Sequence, residues 1–292
     1  MRVRCLRCEK DSVEKGARPK IVSHGTYYRS SDGQRVSRYR CTKCLKNFSS
    51  ATFAACYWQK KRHKNNIIEK ILASTGSMRR TAKILSLHRI TIVRKAKFLG
   101  IGAKHKLFAF NKRKPKAREI EFDDLETFEH TKCKPISVTL VVETKTRRIL
   151  DFEVSRMPAK GLLVEKAKKY GFRPDERRRA RRKLFERIQS LVEEDCIIKS
   201  DSNPHYERDV REFFPKANYV QYLGKRGANT GQGELKKVKY DPIFSLNHTC
   251  AMFRANVNRL IRKTWCTTKR MERLKDHLYI YANYHNHELI KQ

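Results

Sequence analysis

Acidic side chains are scarce in the first part of this sequence. Residues 1–118 contain 5 Asp and Glu against 32 Lys and Arg, whereas residues 119–292 contain 25 against 36. Solubility alone does not account for a formal net charge of +38. A polyanionic partner does, with nucleic acid ahead of an anionic membrane surface. Long apolar runs are missing as well, and the N-terminus lacks the apolar core of a secretory signal. These absences argue against a membrane-spanning helix, and no membrane partner is expected. The expectation is a soluble intracellular protein, in the cytoplasm or nucleoid of a prokaryote or the nucleus of a eukaryote, and not secreted. In that setting nine cysteines read as metal ligands or plain packing rather than a disulfide framework.

What is present falls into blocks, and 292 residues suffice for two to three domains. Residues 1–56 read as a zinc ribbon. Cys5 and Cys8 form one CxxC pair and Cys41 and Cys44 another, so two knuckles present four thiolates to one tetrahedral zinc. Between them, Tyr27, Tyr28, Asp32-Gly33 and Val36 to Tyr39 read as a hairpin. The metal is expected to be structural, because a module this polar has too little apolar surface to fold unaided. His24 is an alternative ligand. Cys56, Cys133, Cys196, Cys250 and Cys266 are expected to pack as small apolar side chains.

Residues 57–103 read as a helix-turn-helix. Ile67, Ile68, Ile71 and Leu72 mark a first helix, Thr75-Gly76 stops it, and Ser77 caps the next. Ala82, Ile84 and Leu85 would form the second helix's inner face, and Ile90, Val93 and Ala96 that of the third. Arg89, Thr91, Arg94 and Lys95 would then project from the third helix, a composition suited to a major groove. Residues 104–118, with Arg113 among seven basic side chains, read as a linker tracking phosphates.

From residue 119 the texture changes. An extended segment ends on Asp123-Asp124, followed by strands at 136–142 and 149–154 and a polar, helical insertion at about 160–194. Residues 196–201 read as a buried strand ending on Asp201, 205–214 as a helix and 217–223 as a strand. Residues 224–242 look like a loop, and two helices finish the chain. That order suits an α/β sheet of the ribonuclease H-like kind, with acids at the ends of adjacent strands. Asp123 and Asp201 would then be neighbours. Two such carboxylates call for an oxygen-seeking divalent cation, Mg²⁺ or Mn²⁺. Two ions would stabilise the attacking and leaving oxygens of a phosphodiester displacement.

Three segments carry a family resemblance. They are Phe122-Asp123-Asp124-Leu125-Glu126-Thr127-Phe128, then Lys199-Ser200-Asp201-Ser202-Asn203-Pro204-His205-Tyr206, and Leu246-Asn247-His248 running on to Arg259-Leu260-Ile261-Arg262-Lys263-Thr264. In this order the chain resembles insertion-sequence transposases of the IS-one family and of the related IS-fifteen-ninety-five group, over nearly its whole length. The resemblance implies Asp123 and Asp201 as metal ligands, with Asn247 where the commoner pattern has Glu. Arg254 stands at that pattern's following basic position. The chain departs from the family there, since an amide oxygen is a weaker ligand than a carboxylate. Glu234 is an alternative third ligand, and Arg262 and Lys263 would clamp phosphates beside the site.

The expected protein is thus multidomain: zinc ribbon, helix-turn-helix, basic linker, and a ribonuclease H-like transposase domain over 119–292. It would bind terminal inverted repeats and target DNA as a homodimer or larger assembly. It would cut and transfer strands with structural Zn and two catalytic Mg²⁺ or Mn²⁺ ions. The rival expectations are an inactive DNA-binding regulator derived from a transposase and a structure-specific nuclease.

Overall fold

The computed structural model describes residues 3–8, 20–223, 241–261 and 267–290, and the chain divides into two compact units, 1–67 and 68–292. Among the described residues no helix is long and apolar enough to cross a membrane.

The first unit is a three-stranded antiparallel sheet, β1 (Ile21–Arg29), β2 (Gln34–Cys41) and β3 (Asn47–Ser49), in that order. Tyr27 faces Val36 across the first pair and Tyr39 faces Phe48 across the second. Arg29 closes the hairpin with a two-pronged bond to Asp32 at 2.6 and 2.5 Å. The apolar interior is small. Cys5, Cys8 and Cys41 are buried, with only Ile21, Cys44 and Phe48 packed around them. A core of this size does not offset the chain entropy of ordering the unit.

The second unit is larger. Its helices are α1 (Asn65–Leu72, entered from the first unit), α2 (Met78–Ile84), α3 (Arg89–Arg113), α4 (Leu163–Ala167), α5 (Arg177–Ile188), α6 (Tyr206–Phe213), α7 (Phe244–Asn256) and α8 (Met271–Tyr284). Its strands are β4 (Ala117–Phe128), β5 (Pro135–Glu143), β6 (Ile149–Arg156), β7 (Val192–Asp201) and β8 (Asn218–Tyr222). They form one mixed sheet in the order β6-β5-β4-β7-β8; β5 runs antiparallel to β4 and β6, while β4, β7 and β8 are mutually parallel. The alternation of strand side chains divides the apolar residues between two cores. Ile120, Phe122, Val141 and Ile198 pack with Leu184 and Phe185 of α5 and Val210 of α6. Leu125, Val138, Leu140 and Phe152 face the other way, onto α3, α7 and α8. Each fully buried large side chain contributes about 2 kcal/mol.

Three helices occupy the segment read as a helix-turn-helix, and Ser77 caps α2 by accepting from the Arg80 amide at 3.1 Å. The details differ from the expectation. Residues 104–118 are not a linker, because α3 continues to Arg113 and β4 begins at Ala117. The helix continues because Ile92, Ala96, Leu99, Ala103 and Leu107 bury a stripe in the same core as the sheet. Gly100 permits the closest approach to α8, where an added Cβ would stand 2.5 Å from that of Asp276. This stripe displaces the expected one: Ile90 and Val93 are exposed, as is Ile84 on α2. Thus residues 68–103 share the core of the second unit and are not a separate domain.

The polar region at 160–194 is also more structured than a helical insertion. It holds α4, α5 and the start of β7. Several arginines of this region tie elements together. Arg181 is buried against Asp209 of α6 at 2.6 Å, Arg182 pairs with Glu212, and Arg187 bridges Asp151 and Glu153 of β6 at 2.7 Å each. Arg187 also donates to the Phe152 carbonyl, and Asn111 and Asn286 donate to the Ile149 carbonyl. These bonds occupy backbone groups on the outer edge of β6 that would otherwise recruit another strand.

Candidate functional site

Four cysteine sulfurs converge in the first unit. Those of Cys5, Cys8, Cys41 and Cys44 all lie within 4.8 Å of one another. The Cys5–Cys44 separation is 3.5 Å and the Cys8–Cys41 separation 3.8 Å. Tetrahedral zinc–thiolate bonds imply sulfur–sulfur edges of about 3.8 Å, so the quartet fits a single zinc ion. Burial and the neighbouring sulfurs push the Cys8 thiol up to about 12, while the Lys46 amide helps bring Cys44 down to about 7. Crowded thiols of this kind shed protons most readily to a bound cation. His24 is exposed on β1, and the cluster is complete without it.

A second cluster forms at the C-terminal end of the parallel strands. Glu119 pairs with Ile197, Ile120 with Ile198 and Glu121 with Lys199. The pairing ends there; continued by two residues, this register would bring Asp123 to Asp201, whose charge does reach it. Register-matched residues of parallel strands point to one face, about 4.8 Å apart. Asp201 ends β7 as expected, whereas Asp123 lies in the middle of a longer β4. Burial, followed by the charge of Asp201, pushes Asp123 up to about 7. Burial and then the charge of Asp124 raise Asp201, against the Asn203 amide. All three carboxylates act on the buried Tyr206 hydroxyl, which donates to Asp123 Oδ1 at 3.2 Å. Tyr206 is held by the Phe122 ring at 4.9 Å and by the Arg181 guanidinium, 4.7 Å from its centroid.

Asp201 Oδ1 is buried and accepts no hydrogen bond from the described residues. An orphaned carboxylate oxygen beside a carboxyl of raised pKa is an arrangement that a divalent cation relieves. Asp124, the next residue on β4, has its side chain on the opposite face of the sheet, although its charge reaches Asp201 and Tyr206. It accepts from Thr139 at 2.5 Å and lines a cavity of about 350 Å³ with Arg177, Arg178, Arg208, Asn203 and His205.

Helix α7 covers the other side of Asp123. Its Cys250 is buried, pushed up to about 12 by burial and by Asp123. Glu121, two residues before Asp123 on β4, is buried and accepts from the Leu246 amide at 2.7 Å. A carboxylate there satisfies an unpaired amide at the helix N-terminus and faces the positive end of its dipole. Burial raises Glu121, and the Leu246 and Thr144 bonds oppose the rise. The β5–β6 turn holds the same helical turn, with Lys145 donating its amide to Ser245 Oγ at 2.9 Å.

The remaining expected residues are not gathered into this cluster. Asn247 is exposed and donates its amide to Asp241 at 2.8 Å rather than turning its oxygen toward the aspartates. Arg254 is exposed one turn beyond Cys250, and its charge reaches that thiol. Glu234, Arg262 and Lys263 lie outside the described residues. On α3, Arg89 and Arg94 are exposed and Thr91 is half-buried, while Arg113 is exposed at the far end. Lys95 does not project, being 5% exposed within the helix's buried stripe.

Sequence reasoning missed Glu121 and Cys250. A signal existed for Glu121, since strand alternation puts it on the face of Asp123. Nothing local marked Cys250, which reaches the site only through the packing of α7. No family model matches the chain, and a search of curated proteins finds no relative.

Proposed function

We propose that the chain is a DNA transposase whose second unit is a ribonuclease H-like nuclease. The observation that carries this reading is that Asp201 lies near enough to Asp123 for its charge to raise that carboxyl, just beyond the paired residues of β4 and β7. The strand order, with two parallel strands added beside an antiparallel hairpin, supports it. So does the net charge of +38, which suits a polyanionic substrate. The zinc ribbon and the helix-turn-helix formed by α1, α2 and α3 would bind the element's terminal repeats, with Arg89 and Arg94 facing the groove. A homodimer or larger assembly would hold two ends together.

Divalent ions bound by Asp123 and Asp201 would supply stabilisation of the attacking and leaving oxygens during phosphodiester displacement. The protein's own groups do the rest. Tyr206 orients the Asp123 carboxylate, Arg181 and Asp209 hold Tyr206 in place, and the arginines around the cavity beside Asp124 attract the scissile strand.

A second reading is a DNA-binding regulator without nuclease activity, favoured by the bond that ties Asn247 to Asp241. A strand-transfer assay separates the two. The full chain is incubated with Mg²⁺ or Mn²⁺ and DNA carrying the repeats that flank its gene. Cut and joined products from the native chain, absent from Asp123→Asn and Asp201→Asn chains that still bind the DNA, are expected. Binding without cutting by the native chain selects the regulator. Cutting without joining selects a structure-specific nuclease.

A further inference from the structure

Within the first unit, the segment after the sheet holds a tryptophan in an unusual setting. Trp58 is 86% exposed, the most exposed large aromatic in that unit. Its backbone lies in the left-handed region at φ 71°, as does that of Lys61 at φ 51°. A bulky residue adopts this conformation only where surrounding structure imposes it, and such strain gathers at binding sites. The Tyr57 ring lies 4.9 Å away, inclined at 55°, so two aromatic rings adjoin at this exposed point.

The charges around it indicate which partner. Lys60, Lys61, Arg62, His63 and Lys64 follow directly. Lys60, Lys61 and His63 are exposed. Arg62 and His63 line an open cavity of about 420 Å³ together with Arg29 and Arg35. Arg62 Nε is buried there without a hydrogen-bond acceptor among the described residues, 3.8 Å from Asp32. An aromatic face beside a row of cations matches a nucleic-acid strand, with its bases for the ring and phosphates for the cations. A protein partner would have to bring a dense acidic patch and an apolar pocket together.

We propose that the loop Tyr57–Lys64 is a DNA-contacting element of its own, in which Trp58 stacks on a base while Lys60, Lys61 and Arg62 hold the adjoining phosphates. The proposal rests on DNA being the partner, but not on the carboxylate cluster or on catalysis.

The test uses the intrinsic fluorescence of the full, zinc-loaded chain. The sequence has two tryptophans, so Trp265→Phe leaves Trp58 as the sole reporter; Trp58→Phe in the native chain gives the complementary difference spectrum. The probes are a fluorescein-labelled 30-base-pair duplex and the same single strand, with binding followed independently by anisotropy. Trp58 emission should be quenched in step with anisotropy. Trp58→Ala should weaken binding about tenfold and leave the salt dependence unchanged. Lys60→Ala with Lys61→Ala should flatten the slope of log affinity against log salt by about two. Saturated binding with unaltered Trp58 emission, or undiminished affinity in Trp58→Ala, overturns the stacking proposal and leaves the proposed function standing. No binding of either probe by the native chain overturns both. A concentration-dependent shift in emission without DNA assigns the ring to a second copy of the chain and overturns the proposal.

Discussion

The four-cysteine cluster of the first unit and the aspartate pair of the second are both sets of like groups crowded together, but they are built differently. The thiols come from two short knuckles and sit in a unit with almost no other core. The carboxylates stand on adjacent strands of a sheet with apolar packing on both faces. In the first case the metal would provide the missing core, so the cluster and the fold stand or fall together. In the second the fold exists first and imposes proximity on groups that repel. Burial first, and then the neighbouring charge, appear as raised proton affinity at Asp123 and Asp201 rather than as disorder.

Removing the metal should break the comparison most sharply. A strong chelator, or Cys8→Ser, should unfold the first unit, because structural zinc contributes on the order of 10 kcal/mol to such modules. Limited proteolysis should then cut before residue 68 while a resistant fragment covering the second unit persists. Simultaneous loss of both units would show that they do not differ in this way.

Next in size is the effect of neutralising Asp123. Its folded pKa of about 7 stands above the ordinary 3.8. The native state therefore holds a proton that the unfolded chain has released. Stability from this group is full below about pH 4, declines as pH rises toward 7 and levels off above. In metal-free protein at pH 8, Asp123→Asn should raise stability by about 2–4 kcal/mol while abolishing strand cutting. Urea midpoints for both chains across pH 4–8 would check this, and equal midpoints at every pH would remove the repulsion argument. Saturating Mg²⁺ should narrow the gap by stabilising the native chain alone.

The smallest effect sharpens the description of how the second cluster is supported. Glu121→Ala should destabilise the second unit by about 1–3 kcal/mol, since it strands the Leu246 amide. Glu121→Gln should cost less, because the amide oxygen still accepts a bond and burial already disfavours the charge. Denaturant titration distinguishes the two variants; identical losses would mean that the bond to α7 contributes nothing.

Much of this was legible in the linear chain. The CxxC spacing identified the quartet because a zinc knuckle is a local structure, complete within four residues. The runs at 136–142 and 196–201 emerged as β5 and β7, and the pattern at 205–214 as α6, because periodicity and β-branched content act over a few residues. Asp201 at the end of its strand was equally readable.

Other features were settled by tertiary packing. The sequence places Lys95 and Ile90 on α3 but does not say which sinks into the core; contact with α8, allowed by Gly100, buries Lys95 and leaves Ile90 in water. The same contact carries α3 through the basic stretch that reads as a linker. The meeting of Glu121 and Cys250 around Asp123 depends on where α7 lies. A local pattern specifies which side chains share a face, but the energy of burying that face belongs to the pair of surfaces. Which face is chosen becomes determined only when the second surface arrives.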